Sequence, residues 1–407
     1  MTVNLLSFAS VMKSIGGVLL AVLILLVMVT VHEFGHYVAG KILHFKINEF
    51  SVGFGPAIFK KRSKKTGELF ALRVVPLGGY CAFDGEDEMD EPQKELSSEE
   101  EPFLEMEGEK TQEDGGMDEL NAEKAEEHPE KYPEPQGERF NDQAPWKRII
   151  VLIAGATMNY LLALLLIVCM FAFLGRPVYK VAEKMEPEGE QVVQDADELQ
   201  IGDVIMKIEG KNVYMISDYM DILDGREQGD NVSVTVLRGE EIKEVSMILK
   251  ANADIQNLSD THTLLTSMGI NSMYAVTEKE GFFQTIGHSF AYSVKIGGTV
   301  LRSLGELLTG KLGIDAMGGP ITTIKVTSEA ASSGWMSFLN IAAFIGVNLA
   351  VFNLLPIPAL DGCKVIFCLI EWIRKKPVNR KVETIIHFVG IIFLFGFAIL
   401  VDLLQLF

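Results

Sequence analysis

Four apolar runs, each reaching or approaching the ~20 residues that cross a bilayer, restrict this chain more than any other feature. They cover residues 15–30, continuing into VHEFGHYVAGKIL, then 149–174, 338–355 and 385–406. The first is too long for the core of a signal peptide, and no small-residue cleavage site follows it. It is read as a transmembrane helix. The basic residues set the orientation. Lys41, Lys46, Lys60, Lys61, Arg62, Lys64 and Lys65 follow the first span, and Arg139, Lys147 and Arg148 precede the second. Arg374, Lys375, Lys376, Arg380 and Lys381 separate the third and fourth, whereas the N-terminal tail has only Lys13 and nothing basic follows Lys381. Four spans alternate consistently with both termini extracytoplasmic.

The formal charge of −19 belongs to one stretch. Residues 84–142 hold 24 Asp/Glu and 5 Lys/Arg, and the rest of the chain is neutral. That stretch, with several prolines and little periodicity, is expected to be a solvated, unstructured cytoplasmic linker. The composition excludes a collagen, a wholly disordered chain and a basic nucleic-acid binder. Cys81, Cys169, Cys363 and Cys368 are too few and too scattered for a disulfide framework. Between residues 180 and 249, VYKV, DVIMKIEG, VSVTVLRG and EVSMIL alternate apolar and polar side chains. Such segments make short half-buried strands, and SDYMDILDGRE is a helix candidate among them. Residues 282–312 repeat apolar positions at helical spacing, which suits a helix on the membrane surface or one packed on the spans.

The chemistry concentrates in His32-Glu33-Phe34-Gly35-His36. On a helix the first and last of these share a face, so two imidazoles can address one ion. The glutamate between them can take a proton from a water beside that ion. The setting sharpens the reading, because the motif closes an apolar helix where unpaired charge costs at least ~2.5–3.5 kcal/mol. About 16–17 apolar residues precede His32, roughly 25 Å of helix, which sets the site toward the cytoplasmic side of a ~30 Å core. Zinc asks for a third protein ligand and an open position. Among the other spans Asp361, in NLLPIPALDG, is the outstanding carboxylate. Two prolines break the helix there, and irregular backbone at membrane depth is tolerated where it is buried or lines a cavity. Asp402 lies near the outer end of the last span. Glu371 has Arg374 and Lys375 beside it for an ordinary surface ion pair. His44, His128, His262, His288 and His387 lack a partner at ligand spacing. Ligand types alone leave iron or cobalt open beside zinc.

In combination, HEFGH and NLLPIPALDG resemble the site-2 protease family of intramembrane zinc metalloproteases. FSVGFGP (residues 50–56), PLGGY (76–80), GATMN (155–159) and GGPI (318–321) extend the likeness, and LQIGDVIMKIEGKNV (199–213) resembles part of a PDZ domain. The likeness is to the bacterial branch that includes the regulator-of-sigma-E protease, and it touches nearly all of the chain except the acidic insertion. It implies Zn2+ held by His32, His36 and Asp361, with Glu33 as catalytic base. It implies that Asn353 contacts the substrate helix and that Asn159 lies near the site. It also implies a membrane-associated β-hairpin in GELFALRVVPLGGY, residues 67–80, with Gly78 and Gly79 allowing a tight turn or close approach. Substrate then adds to the hairpin edge as a strand, which exposes a peptide bond that a helix hides. One departure is Cys363, where the family often has a second glycine, and it offers a competing ligand.

The expected architecture is an α-helical polytopic membrane protein with four spans, a membrane-associated hairpin and an inserted extracytoplasmic PDZ-like domain. Its parts are residues 1–83 with the first span and hairpin, 84–143 the acidic linker, and 144–176 the second span. Residues 177–250 form the PDZ-like domain, a peptide binder or a size filter, 251–335 a connecting region with an amphipathic helix, and 336–407 the last two spans. The expected activity is endoproteolysis of transmembrane segments in single-span proteins, such as anti-sigma factors or remnant signal peptides. A metal-free peptide-capturing scaffold needs none of the ligands. A zinc or proton transporter would carry polar residues along several spans, which the third and fourth nearly lack.

Overall fold

The structure, a computed structural model, describes residues 8–86, 132–185, 197–314 and 317–406. Helix α1 (Phe8–Ile42) is followed by strands β1 (Ile47–Arg62) and β2 (Leu69–Phe83), and then by helix α2 (Pro145–Leu174). A β-rich unit follows: β3 (Arg176–Lys184), β4 (Val204–Ile208), β5 (Lys211–Asn212), α3 (Ile216–Leu223), β6 (Asn231–Arg238), β7 (Glu241–Ile248), α4 (Thr261–Met268) and β8 (Ile270–Glu278). Helices α5 (Phe282–Leu308), α6 (Pro320–Ser333), α7 (Trp335–Leu354), α8 (Asp361–Arg374) and α9 (Arg380–Leu406) complete the chain. Four of these helices are long and apolar enough to cross a membrane: α1, α2, α7 and α9. The β-rich unit falls between the second and third of them in this multi-pass membrane protein.

The β-rich unit forms a six-stranded antiparallel sheet ordered β7-β6-β4-β3-β8, with β5 beside β4. The alternation read in VSVTVLRG puts Val232, Val234 and Val236 into its core, where Ile205, Ile208, Tyr219 and Leu264 meet them. SDYMDILDGRE supplies α3, which buries Tyr219, Met220 and Leu223. Arg238 pairs with buried Asp203 at 2.7 Å, and that carboxylate holds the guanidinium above its usual range.

Helix α5 packs on the membrane helices through one face. Tyr292, Ile296 and Val300 join Ala163, Ile167 and Phe171 of α2 and Ala343 and Val347 of α7. Tyr160 shares a hydrogen bond with Ser293 at 2.8 Å, and Tyr292 donates to Asn340 Oδ1 at 2.9 Å. Ion pairs of Lys295 with Asp218 and of Arg302 with Asp221 join the same helix to α3.

The hairpin differs from the expected one. GELFALRVVPLGGY supplies one strand, and its partner is INEFSVGFGPAIFKKR, so the ribbon runs over Ile47–Phe83. It also folds back on itself. Residues 49–52 of β1 pair with 69–72 on one side and with 79–82 on the other. No other strand among the described residues pairs the outer edge of 79–82. Within the expected linker, residues 87–131 lie outside the described residues, whereas 132–143 run along the ribbon, mostly exposed and anchored at a few points. Glu138 exchanges backbone hydrogen bonds with His44 and Lys46, and Phe140 is buried between Phe45 and Phe83. Charge counting missed this because one phenylalanine supplies the anchor.

Glu371 also departs from expectation. Its carboxylate receives the buried Arg148 guanidinium at 2.5 Å and Arg380 at 3.7 Å, so it ties α8 to α2 instead of pairing with Arg374 or Lys375 on the surface. Removing one partner of a buried pair costs about 3–5 kcal/mol, whereas replacing both by apolar groups is often near neutral. Glu371→Ala is therefore expected to lower the thermal midpoint in detergent sharply, and Arg148→Met/Glu371→Met to recover most of it. Equal loss in both proteins would refute the pairing as the source of the effect.

Candidate active site

Three helices and the ribbon converge on the HEFGH turn. Spacing alone puts His32 and His36 on one face of α1, and their Nε2 atoms lie 3.1 Å apart. Asp361 opens α8, directly after the proline-broken loop, and its Oδ2 lies 3.1 Å from His32 Nε2 and 3.4 Å from His36 Nε2. Among the described residues this is the one group of three side chains placed to hold a metal ion.

The separations fit zinc. Two ligands at 2.0–2.1 Å on tetrahedral axes stand about 3.3 Å apart, and the three donor atoms match that spacing. The outer atoms agree. His36 Nδ1–H donates to Val151 O at 2.8 Å, which leaves Nε2 as the lone-pair nitrogen. His32 Nδ1 lies 3.4 Å from the Asn353 amide. The Asn353 atom at that distance is Nδ2; with Nε2 given to a metal, Nδ1 carries the proton, and turning the amide over brings Oδ1 to it as the acceptor. Cys363 is buried but outside the three-ligand group, and burial pushes its thiol above the ordinary range. It is a poorer ligand than Asp361.

The site opens into a cavity of about 330 Å³ lined by His32, Glu33, His36, Asp361, Tyr80 and Cys81, among others. Glu86 and Lys364 also line it and form an ion pair at 2.7 Å. The ribbon edge runs along this cavity. At Gly79 a Cβ would stand 2.8 Å from Ser51 O and 3.1 Å from Glu33 Cγ, so a side chain there would push the strand off Glu33. Gly78 has φ +132, a conformation that L residues rarely adopt, with its Cα against the Phe54 ring. Asn159 is buried on α2, one turn beyond Gly155, and among the described residues neither amide atom has a hydrogen-bond partner. His44, His262, His288 and His387 stand outside the ligand group, and His128 lies outside the described residues.

Gly155, within GATMN, belongs to the site without contributing a side chain to it. Its Cα lies against both imidazoles: a Cβ would fall 2.8 Å from His32 Cε1 and closer still to His36 Nε2. Gly35 of α1 meets Ala154 in the same crossing. Two glycines in HEFGH and GATMN are the signal that could have found it, since small residues let helix backbones approach.

The sequence profile of peptidase family M50 matches residues 20–397 of this chain. The chain belongs to peptidase family M50. Two relatives fit that membership. The regulator of sigma-W protease RasP of Bacillus subtilis is 27% identical, over 93% of this chain and 96% of the relative. The zinc metalloprotease RasP of Bacillus licheniformis is 28% identical, over 92% and 94%. A PDZ domain of an SdrC-like protein from Listeria monocytogenes aligns at 24% identity over 19% of this chain and 75% of that one, with a TM-score of 0.15. The M50 member described here is a zinc metalloendopeptidase of the site-2 protease family.

Proposed function

We propose that this protein hydrolyses peptide bonds within transmembrane segments of single-span proteins, with His32, His36 and Asp361 as the zinc ligands and Glu33 as the catalytic base. The observation that carries the reading is the convergence of three donor atoms at zinc spacing beside a cavity that also holds Glu33. Zinc bound there supplies Lewis acidity, polarising a carbonyl oxygen and easing deprotonation of water. Glu33 takes the proton of the attacking water and hands it to the leaving amine, as a positioned carboxylate does.

The edge at residues 79–82, unpaired among the described residues, receives the substrate as an added strand. This extends a helical segment beside Glu33, and Gly78 and Gly79 keep that edge close. Asn159 meets the unwound substrate backbone in this reading, which its buried, unpartnered amide supports. Asn353 orients His32 from one side of the same region and contacts substrate from it.

The sheet domain, PDZ-like and extracytoplasmic in this reading, screens substrates by size. Both termini lie outside, and the metal sits toward the cytoplasmic side, following the basic residues of the loops. The acidic linker is cytoplasmic, and the sheet domain runs from β3 to β8, past the expected boundary at residue 250. Substrates are anti-sigma-factor-like proteins or remnant signal peptides already trimmed outside, in line with a relative named as a regulator of sigma-W protease.

A reconstitution tests this. Full-length protein in lipid vesicles receives a single-span substrate bearing either a folded ectodomain or a trimmed one. Cleavage inside the span, several-fold faster for the trimmed form, is the expected result. Cuts confined to soluble segments would refute the intramembrane reading, and equal rates would remove the screening role.

A further inference from the structure

We propose that His387, on the last helix, is a positioning residue that holds the loop bearing Asp361 in the shape that brings its carboxylate to the two imidazoles. This inference rests on the reading of Asp361 as the third metal ligand. Between the end of α7 at Leu354 and the start of α8 at Asp361 the chain passes through PIPAL, and Ala359 there has φ +80. A side chain with a Cβ is strained in that region, and such strain persists only where the surroundings over-determine it.

Two contacts from one face of α9 do so. The Ala359 N–H donates to His387 Nδ1 at 3.1 Å. Gly390, nearly one turn further along, is buried against Pro358, where a Cβ would stand 2.6 Å from the Pro358 carbonyl carbon and 2.7 Å from its oxygen. The His387 ring also meets Phe367 of α8 edge-on, with centroids 6.0 Å apart, which fixes the acceptor nitrogen.

The geometry has a direct consequence. Within the loop, Ile357 and Leu360 N–H groups bond to Leu355 and Ile357 carbonyls, whereas the Ala359 N–H is turned outward to α9. Without an acceptor there, that part-buried donor loses its partner and Ala359 relaxes toward negative φ. Asp361 lies only two residues on, so the relaxation swings its carboxylate away from His32 and His36. Helix α9 thus governs metal affinity without contributing a ligand.

Zinc affinity of the purified full-length protein, measured by competition with a chelating dye, tests the proposal alongside cleavage of a single-span substrate. His387→Leu is expected to weaken zinc binding on the order of 10–100-fold, the range for residues that orient ligands. His387→Asn, whose Oδ1 accepts the same bond, keeps most of the affinity. Ala359→Gly in the His387→Leu background restores it, because glycine takes a positive φ without strain, a rescue that a general packing defect would not show. Wild-type affinity in His387→Leu, or no recovery on adding Ala359→Gly, overturns the proposal. Should His387→Leu fail to fold, Gly390→Ala presses on Pro358 from the same face and is expected to weaken zinc binding. Unchanged affinity in that variant overturns the proposal equally. Asp361→Asn separates the two levels. Zinc lost in Asp361→Asn but kept in His387→Leu defeats the positioning role alone. Zinc kept in Asp361→Asn defeats the ligand reading and this inference with it.

Discussion

Glu33→Gln is expected to lower the turnover of a reconstituted single-span substrate by about 10²–10⁴-fold, the contribution of a positioned acid–base group, and to leave zinc content unchanged. The reasoning starts from shape. Gln has the size and rotamers of Glu, so the close fit of Gly79 against Glu33 Cγ survives the change. The lost property is proton affinity, since an amide cannot take a proton from the attacking water or return it to the amine. His32, His36 and Asp361 keep their mutual spacing. The contrast is with Asp361→Asn, where metal and activity should fall together. Zinc stoichiometry beside single-turnover cleavage separates the two variants. A Glu33→Gln protein that cleaves at the wild-type rate would remove Glu33 from the chemistry altogether, and one that loses its zinc would make it a structural residue.

The parts of this site that lie close in sequence were the legible ones. Helical spacing puts His32 and His36 on one face, and the alternation in VSVTVLRG forecasts which valines fill the sheet core. Asp361 is more than 300 residues from the imidazoles. Only its setting, a carboxylate after a proline break at the end of an apolar run, singled it out. What sequence patterns hid falls into several physical kinds. One is pairing between distant charges: Glu371 has basic neighbours along the chain, yet its partner is Arg148 on another helix. Local proximity ranks such pairs wrongly because burial decides them. Another is residues whose part is to take up no room, as Gly155 does against the imidazoles. The ribbon turned on which half of β2 lies beside β1, and β1 accepts both halves. Neither hydropathy nor turn residues encode that doubling. His387 looked unattached because its partner is a backbone N–H, which has no sequence signature.

Gly155→Ala puts a methyl directly against both metal-facing imidazoles, and two opposed effects decide its sign. In a helix interior alanine is favoured over glycine by about 0.8–1.0 kcal/mol, so α2 itself gains from the substitution. Against that stands the position of the new methyl. It would fall 2.8 Å from His32 Cε1 and nearer still to His36 Nε2, the atom that faces the metal. Neither neighbour gives way easily. His36 is fixed from behind by its bond to Val151 O at 2.8 Å, and Gly35 against Ala154 leaves the helix crossing no slack. The imidazoles must therefore turn off the common point, or the helices must part. The expected result is zinc affinity reduced by more than the ~10–100-fold typical of outer-shell changes, with cleavage abolished. The zinc-free protein, meanwhile, should unfold at a temperature close to that of the wild type, because the helix gain offsets part of the steric loss. Zinc titration and thermal unfolding of the same preparation read both quantities. Wild-type zinc affinity in Gly155→Ala would mean that the imidazoles have room to move, and the close crossing of α1 and α2 would then not be what holds the metal site in shape.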